Sequence, residues 1–437
     1  MNINSDMRAN IHWSTFMDRP IYLDRLIQKK SNGMIKVITG IRRCGKSYLL
    51  FNLFYDHLKS EGVADDHIIT LAMDDIENKK YRTAEALYYY IKERIEDHDP
   101  YYVLLDEVQL VDGFEEVMNS LLHINNADVY VTGSNARFLS KDIITEFRGR
   151  GDQVRVYPLS FSEYWNGYWN KRVDPPASIS LSDAWQEYMT FGGMPQLITM
   201  RNADSKSQYL KSLFEETYIK DIVDRNSIRD TADLEDLMNI VASDIGGLTN
   251  PKRIADTFMS VKKTNIHQQT IKKYLDCFED AFLIVKANRY DVKGRKYINT
   301  PMKYYFTDAG LRNARLNFRQ MEETHIMENI IFNELLIRGY NVDVGVVHYD
   351  RIDENKHRSQ TSLEVDFVCN QGSNRVYIQS ALSLPDKEKM DQEQNSLIRI
   401  KDSFRKIIIV KEGITRYNEN GVLILNLFDF LLGIEKI

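Results

Sequence analysis

Two short stretches of the sequence carry side chains suited to phosphoryl chemistry. The stretch GIRRCGKS ends in Lys46 and Ser47, and YYVLLDE ends in Asp106 and Glu107. A lysine can reach the β- and γ-phosphates of a nucleotide, a serine hydroxyl and an aspartate can hold magnesium, and a glutamate can act as general base for an attacking water. These four residues predict a site that binds and hydrolyses a nucleoside triphosphate with Mg²⁺.

The sequence around Lys46 predicts the elements that a phosphate-binding loop needs. Residues 34–39 form an apolar strand, the GxxxxGK[ST] pattern follows as a loop, and residues 48–58 have helical apolar spacing. Glycines in the loop let backbone amides point at phosphate oxygens, with the positive end of the helix dipole behind them. A glycine-rich turn that matches by chance is the alternative. The residues predicted to contact the nucleotide are Gly40, Ile41, Arg42, Arg43, Cys44, Gly45, Lys46, Ser47 and Tyr48.

Asp106 and Glu107 follow a run of β-prone residues, which places them at the tip of a buried strand. A solvated acidic turn is the alternative. Further strands are predicted at residues 67–73, 127–132 and 153–157, with helices between them, and this alternation is typical of a parallel sheet covered on both faces. No guanine-reading NKxD pattern is present, so the predicted nucleotide is ATP.

Two further groups are candidates for sensing or neutralising the γ-phosphate. Ser134 and Asn135 follow the strand at 127–132, and a polar side chain there could sense the phosphate, or could simply close the strand. Arg148 and Arg150 flank Gly149, and an arginine at this place could reach the nucleotide of an adjacent subunit, which requires an oligomer. A surface arginine pair is the alternative.

Composition excludes several classes of protein. The chain has 437 residues, 43% hydrophobic and 27% charged, which fits a globular protein of about three domains at ~150 residues each. Its three cysteines lack metal-site spacing, so a zinc or disulfide framework is not expected. No apolar run approaches the ~18 residues of a membrane span and no export signal is evident, so we expect a cytoplasmic protein without membrane contact.

The middle of the chain has a local excess of basic residues, although the net charge is −6. A helix is predicted at 206–223, and two short helices at 250–261 and 268–280 precede a β-hairpin, which is the order of a winged helix. The residues predicted to contact DNA are Lys272, Lys273, Lys293, Arg295 and Lys296. Nothing in this set reads bases, so contact with the backbone and recognition of DNA shape are expected. A solvated charged face is the alternative.

The last hundred residues look like the core of the PD-(D/E)xK nucleases. Glu364 and Asp366 in EVDFVC, together with Glu328 on a preceding helix, match the metal-binding acids. The second acidic position is Gln379 and the lysine position is Ala381, so the groups that hold magnesium and activate water are incomplete. We expect a retained fold without cleavage, serving as a packing or oligomerisation module or as a non-cutting DNA clamp, although the three acids could still hold a metal weakly.

Taken together, the motifs GIRRCGKS, LLDEVQ, VTGSN, FRGRG and YPLSFSEYW, with FGGMPQLI at 191–198 and YIKDIVDR at 218–225, resemble one family over almost the whole chain. This family is the bacterial and archaeal AAA+ ATPases that carry a C-terminal domain of formerly unknown function. The resemblance implies an AAA+ fold, assembly into a homo-oligomeric ring, a hexamer being expected, and DNA as substrate, including four-way Holliday junctions.

The sequence thus predicts an α/β protein with a P-loop AAA+ parallel sheet at residues 1–158 and a helical lid or connector at 159–230. A winged-helix-like DNA-binding part at 231–320 and a degenerate nuclease-like α/β part at 321–437 follow. The expected function is ATP-dependent remodelling or translocation of DNA. A nucleotide-dependent signalling switch with a protein partner, and an ATP-coupled nuclease, are the alternatives.

Overall fold

The computed structural model describes residues 17–133, 149–171, 180–229, 231–263, 266–352, 358–435 and 437. Within these ranges the chain forms two β-sheets, one near each end of the sequence, with helices between and around them. None of the helices formed by the described residues combines the length and the apolar character needed to cross a lipid bilayer.

The first sheet consists of β1 (Ile35–Thr39), β2 (Ile68–Ala72), β3 (Tyr101–Asp106), β4 (Ala127–Thr132) and β5 (Gly151–Arg155). All neighbouring strands run parallel, in the order β2-β3-β4-β1-β5, which confirms the predicted parallel sheet. Every residue of β1 and β3 is buried, because helices cover both faces of the sheet. This burial explains the nearly uninterrupted apolar runs in the sequence.

The helices that cover this sheet are α1 (Pro20–Gln28), α2 (Lys46–Tyr48, continued by the π-helical Leu49–Phe54 and by Tyr55–Ser60), α3 (Ala84–Lys92) and α4 (Phe114–Leu121). Side chains alternate across each strand. Ile38 and Leu104 therefore pack on the side of α1 and α2, whereas Val37 and Val103 pack on the side of α3 and α4.

Strands β3, β4 and β1 are neighbours in the sheet, so their carboxyl ends lie along one edge. The loop that begins with Gly40 leaves β1 there, β3 ends at Asp106, and β4 ends at Thr132. In open α/β sheets, ligands bind in the crevice outside the carboxyl ends of the strands. The sheet order alone thus brings the two predicted motifs together.

Four helices connect the first sheet to the second part of the chain. They are α5 (Phe161–Lys171), α6 (Leu181–Phe191), α7 (Ala203–Ser212, continued by the π-helical Leu213–Ile219 and by Lys220–Asn226) and α8 (Thr231–Ser243). The side chains of Ser180 and Asn202 accept hydrogen bonds from the first turns of α6 and α7, which fixes where these helices begin. The predicted helix at 206–223 lies within α7.

The predicted order of helix, helix and hairpin is present. The elements are β6 (Leu248–Thr249), α9 (Pro251–Thr257, continued by the π-helical Phe258–Lys262), α10 (Gln268–Asp280), β7 (Ile284–Asp291) and β8 (Lys296–Phe306). Helix α10 packs against β7.

The rest of the chain forms α11 (Ala309–Arg315), α12 (Glu323–Ile337), β9 (Asn341–Ile352), β10 (Arg358–Gln371), β11 (Asn374–Ala381), α13 (Lys387–Ile398), β12 (Arg405–Val410), β13 (Arg416–Tyr417), β14 (Leu423–Asn426) and α14 (Leu427–Leu431). The second sheet has the order β13-β14-β12-β11-β10-β9-β7-β8-β6. Its hairpin strand β7 pairs in parallel with β9, with Arg289 opposite Val344. The boundary expected at residues 320/321 therefore does not separate two sheets, because the hairpin and the C-terminal strands share one. The division into domains otherwise stays a prediction.

Around β10, the C-terminal part has the helix and strands expected for a nuclease core. Helix α12 comes first, β9, β10 and β11 pair antiparallel, and α13 leads into β12, which runs parallel to β11. The kinship with nucleases stays a prediction.

Candidate active site

Two glycines shape the loop between β1 and α2. Gly40 has a φ of +143°, and a Cβ atom there would lie 2.1 Å from the carbonyl oxygen of Val156. Gly45, with a φ of +99°, directly precedes α2. Both positions adopt backbone conformations that favour glycine, and the first also leaves no space for a side chain. The loop can therefore curl as phosphate binding requires.

Lys46 is the first residue of α2, and its ammonium lies across the loop. Its Nζ donates to the carbonyl oxygens of Gly40, at 3.1 Å, and of Ile41, at 3.2 Å. Only 4% of the residue is exposed. The ammonium is thus held at the mouth of the loop by two neutral acceptors, which phosphate oxygens could replace.

Asp106 lies at the end of β3 in a polar but nearly closed environment. The Thr132 hydroxyl donates a hydrogen bond to Asp106 Oδ1, and Ser47 also hydrogen-bonds this carboxyl group. Burial raises the pKa of Asp106 to about 6 and the neighbouring Glu107 adds to this rise, whereas the hydrogen bonds and the Lys46 charge oppose it. Asp106 and Ser47, on different elements, are thus brought into contact, as a shared magnesium site requires.

Glu107 adopts an uncommon backbone conformation for a residue with a side chain. Its φ is +51°, in the left-handed region, and its backbone N–H donates to Thr132 Oγ1 at 3.1 Å. The side-chain amide of Gln109 donates to Glu107 Oε2. Residues held in this region cost free energy and occur often at functional sites. The chain thus turns sharply at Glu107, directly after β3 ends at Asp106.

A cavity of about 610 Å³ opens beside these groups. Lys46, Ser47 and Glu107 line it, together with Gln196, Thr199 and Tyr209, which the sequence did not single out. Its volume lies within the range of small-molecule sites. Hard oxygen ligands from Ser47 and Asp106 suit Mg²⁺, and the loop amides with the Lys46 ammonium suit a triphosphate. The residues present therefore fit ATP with magnesium.

Not every loop residue predicted to contact nucleotide directs its side chain to the cavity. Ile41 and Cys44 are fully buried in the core below the loop, and the Cys44 thiol lies 3.5 Å from the Val156 carbonyl oxygen. Arg42 forms an ion pair with Asp221 at 3.1 Å. For these three residues, contact with phosphate would have to come from the backbone amides. Arg43, Gly45 and Tyr48 do line the cavity, as do Lys46 and Ser47.

Arg19, which sequence reasoning missed, lines the same cavity and hydrogen-bonds the phosphate loop. Its Nη1 donates to the carbonyl oxygen of Cys44 at 2.8 Å, its Nη2 to that of Tyr157 at 2.8 Å, and its Nε to Glu163 Oε1 at 3.0 Å. Burial by itself lowers the pKa of Arg19, but Glu163 outweighs this, and the pKa lies above its usual value. A charged guanidinium thus ties the loop to the segment after β5. No local pattern marks this residue.

Helix α7 also reaches the loop. The hydroxyl of Tyr218 donates to the Arg42 carbonyl oxygen at 2.9 Å, and Tyr209 is hydrogen-bonded to the side chain of Arg43. With the Arg42–Asp221 ion pair, these contacts join the connector helices to the predicted nucleotide site. A change in this site could therefore be passed to α7.

The predicted sensor and arginine residues have different outcomes. Ser134, Asn135 and Arg148 lie outside the described residues. Arg150 is exposed, and its carbonyl oxygen accepts a hydrogen bond from Ile35 at the start of β1. Its role in an adjacent subunit stays a prediction. Thr132 is the residue of the neighbouring strand that contacts both members of the acidic pair, and the sequence had named it only as the end of β4.

The basic residues predicted to contact DNA lie in two elements. Lys272 and Lys273 are exposed on α10, and Lys293, Arg295 and Lys296 are exposed at the tip of the β7–β8 hairpin. Asp291, the acid of this tip, is buried and accepts hydrogen bonds from the backbone N–H groups of the turn. The tip thus presents cations to solvent while its acid faces inward.

The acids of the expected nuclease core do come together. Asp366 accepts hydrogen bonds from the side chain of Gln379 and from Ser380, and Ala381 is buried. Lys303 links Glu328 to Glu364. This lysine lies on the hairpin strand β8, and no sequence pattern predicted its position at this cluster.

Comparison with known proteins agrees with the geometry of the first sheet. The family described as AAA domain matches residues 32–165, which contain all five strands of that sheet, and a domain of unknown function, DUF8612, matches residues 182–322.

Two curated relatives resemble the chain over most of its length. An uncharacterized protein of Haemophilus influenzae is 34% identical over 95% of this chain and 98% of its own length. The uncharacterized protein MJ1544 of Methanocaldococcus jannaschii is 28% identical over 89% of this chain and 83% of its own. Among solved structures, Aeropyrum pernix ORC1 in complex with DNA is 11% identical, with a TM-score of 0.30 over 69% of this chain and 93% of that chain.

Proposed function

The chain belongs to a protein family with an amino-terminal AAA domain, of which the Haemophilus influenzae protein is another member, and we propose that it is an ATPase that uses ATP hydrolysis to remodel or translocate DNA. The observation that carries the ATPase part is the contact of Asp106 with both Ser47 and Thr132, beside the Lys46 ammonium. Groups from three elements meet at the carboxyl edge of a parallel sheet, next to a cavity of about 610 Å³.

In the proposed reaction, Lys46 exchanges its two carbonyl partners for oxygens of the β- and γ-phosphates. Ser47 Oγ and the Asp106 carboxylate would hold magnesium, and a pKa of about 6 leaves Asp106 mostly ionised near neutral pH. Bound magnesium supplies positive charge that offsets the charge on the phosphate oxygens during transfer.

Glu107 is the proposed general base, because its carboxylate lines the same cavity as Lys46 and Ser47. Gln109 donates to Oε2 and thereby orients the carboxylate, so that its other oxygen can take the proton of the attacking water. Thr132 holds the backbone of Glu107 in place and contacts Asp106 at the same time. A change in the position of Asp106 or Glu107 could therefore be transmitted to β4 through this hydroxyl.

DNA is the proposed substrate on electrostatic grounds. The chain has a net charge of −6, yet the hairpin tip and one face of α10 expose Lys272, Lys273, Lys293, Arg295 and Lys296. Backbone phosphates are bound by exposed cations of this kind, without reading of bases. We therefore propose recognition by shape, with four-way junctions among the DNA structures bound.

We further propose a ring of identical subunits, a hexamer being the expected size. In such a ring Arg148 or Arg150 of one subunit would neutralise charge at the nucleotide of the next. The exposure of Arg150 next to the first sheet is compatible with this role.

The test is the rate of phosphate release from ATP without DNA, with linear duplex, and with a four-way junction containing the same number of nucleotides. We expect hydrolysis that DNA stimulates, the junction most, and that Lys46→Ala abolishes. Gel shifts at several salt concentrations should show affinity falling steeply with salt. If neither DNA changes the rate of hydrolysis and no gel shift is seen, the signalling switch is favoured instead. Failure to bind or hydrolyse ATP under all conditions would refute the proposal.

A further inference from the structure

Three acids lie around one lysine beside the second sheet; Glu328 and Asp366 are buried, whereas the Glu364 side chain is partly exposed. Lys303 Nζ lies 2.7 Å from Glu364 Oε1 and 3.1 Å from Glu328 Oε1, and the lysine residue is 5% exposed. Glu328 Oε1 also accepts a hydrogen bond from the Tyr305 hydroxyl at 2.6 Å. The lysine comes from β8, whereas the acids come from α12 and β10. One ammonium thus joins three elements.

The third acid, Asp366, has its own donors. Its Oδ1 accepts from Gln379 Nε2 at 3.0 Å, and its Oδ2 accepts from the backbone N–H and the hydroxyl of Ser380, at 2.8 and 2.9 Å. Burial and the nearby Glu328 raise the pKa of Asp366 to about 7, although Lys303 and Ser380 oppose the rise. Both oxygens of Asp366 are therefore engaged by the protein.

The ammonium fills the space that a divalent ion would use. A magnesium or calcium ion binds carboxylate oxygens at about 2.0–2.6 Å. An ion held by the same two oxygens, Glu328 Oε1 and Glu364 Oε1, would therefore overlap Lys303 Nζ, which already contacts both. The backbone of Gly246 closes another side, since a Cβ atom there would lie 3.2 Å from Glu328 Oε1.

The lysine is well suited to stay charged at this place. Its Nζ contacts the carboxylates of both Glu328 and Glu364, and opposite charges at this distance favour the charged form of the lysine. Without a cation the neighbouring acids would repel one another, and the protein provides the cation from its own chain.

We propose that Lys303 is a built-in cation that replaces a divalent metal ion in this cluster. The cluster therefore binds no metal and cuts no phosphodiester bond. It fastens β8, and with it the β7–β8 hairpin that carries Arg295 and Lys296, to the C-terminal strands. The inference uses neither ATP nor DNA binding and stands apart from the proposed function.

The test is Mn²⁺ binding to the full chain without nucleotide. Binding is measured by calorimetry and by the shift of the unfolding temperature. Any saturable Mn²⁺ binding by the wild type should remain in Glu364→Gln. Lys303→Met, which keeps the length and removes the charge, should gain one Mn²⁺ site at least tenfold tighter than any wild-type binding, and Lys303→Met with Glu364→Gln should lose it again. Lys387→Met, which removes the charge of an exposed lysine on α13, is the matched control and should behave as wild type.

Three results would overturn the proposal. The first is wild-type Mn²⁺ binding that Glu364→Gln abolishes, and this measurement decides the matter even if Lys303→Met does not fold. The second is a folded Lys303→Met that gains no site, because the ammonium would then not occupy a metal position. The third is Mn²⁺-dependent cutting of DNA by the wild type that Lys303→Met loses, which would make Lys303 a catalytic lysine.

Discussion

Replacing Arg19 with methionine tests whether this buried residue holds the phosphate loop in its binding conformation. The substitution keeps a long, flexible side chain but removes the charge and all its hydrogen bonds. Arg19 is 2% exposed and its partner Glu163 is 8% exposed, so the remaining carboxylate would be left without its cation in a dry environment. Such a change acts on both stability and nucleotide binding.

The expected sizes follow from these contacts. Breaking a buried ion pair by removing one partner costs about 3–5 kcal/mol, so the free energy of unfolding should fall by this amount. The loop also loses the donor to the Cys44 carbonyl oxygen, next to Gly45 and Lys46. A hydrogen bond with a charged donor contributes about 1.5–3 kcal/mol, and each 1.4 kcal/mol is about tenfold in affinity. ATP affinity should therefore fall about ten- to hundredfold.

Urea unfolding and titration with a fluorescent ATP analogue measure the two effects separately. In the double variant Arg19→Met with Glu163→Gln, stability should recover in part, because no buried charge is left unpaired, whereas ATP affinity should stay low. Arg25→Met is the matched control, since Arg25 lies on α1 and donates to the carbonyl oxygen of Ile337 on α12 instead of to the loop. If Arg19→Met unfolds at the wild-type urea concentration and binds ATP with unchanged affinity, the supporting role assigned to Arg19 is wrong.

Three further variants test other parts of the structure. Glu107→Gln should keep ATP affinity within about twofold but lower turnover at least ~10²-fold in a phosphate-release assay, and equal turnover would remove the general-base role. Changing Arg295 and Lys296 together to Ala should weaken binding equally for all DNA sequences and reduce the salt slope by about 2 in fluorescence anisotropy; unchanged affinity would show that the hairpin is not the contact. Asp308 is buried and accepts hydrogen bonds from the N–H groups of Gly193 and Leu311, at 2.7 and 2.9 Å. Burial raises its pKa from 3.8 to about 6, so the protonated carboxyl favours the folded state, and its stabilisation, present below about pH 4, is lost as the pH rises through about 6. Relative to Asp308→Asn, the wild type should lose on the order of 3 kcal/mol of unfolding free energy over that interval, and parallel urea midpoints would contradict the raised pKa.

The sequence by itself determined the parts of the site that depend on neighbouring residues. The glycines that let the loop curl, the helix predicted after the loop, and the apolar strand before Asp106 depend on neighbouring residues, and short sequence patterns predict such local backbone geometry. The alternation of strands and helices also predicted the parallel sheet, because buried parallel strands need long apolar runs. The placement of Asp106 against the loop followed once that sheet was assumed.

Only the tertiary structure decided which distant groups meet. Arg19 and Glu163 are 144 positions apart, and Lys303 reaches acids on two other elements. The parallel pairing of β7 with β9, which joins the hairpin to the C-terminal strands, likewise has no local pattern. A buried charge needs a partner, but the sequence does not say which one. The partner is set by strand order and helix packing, and these depend on the balance of contacts over the whole chain.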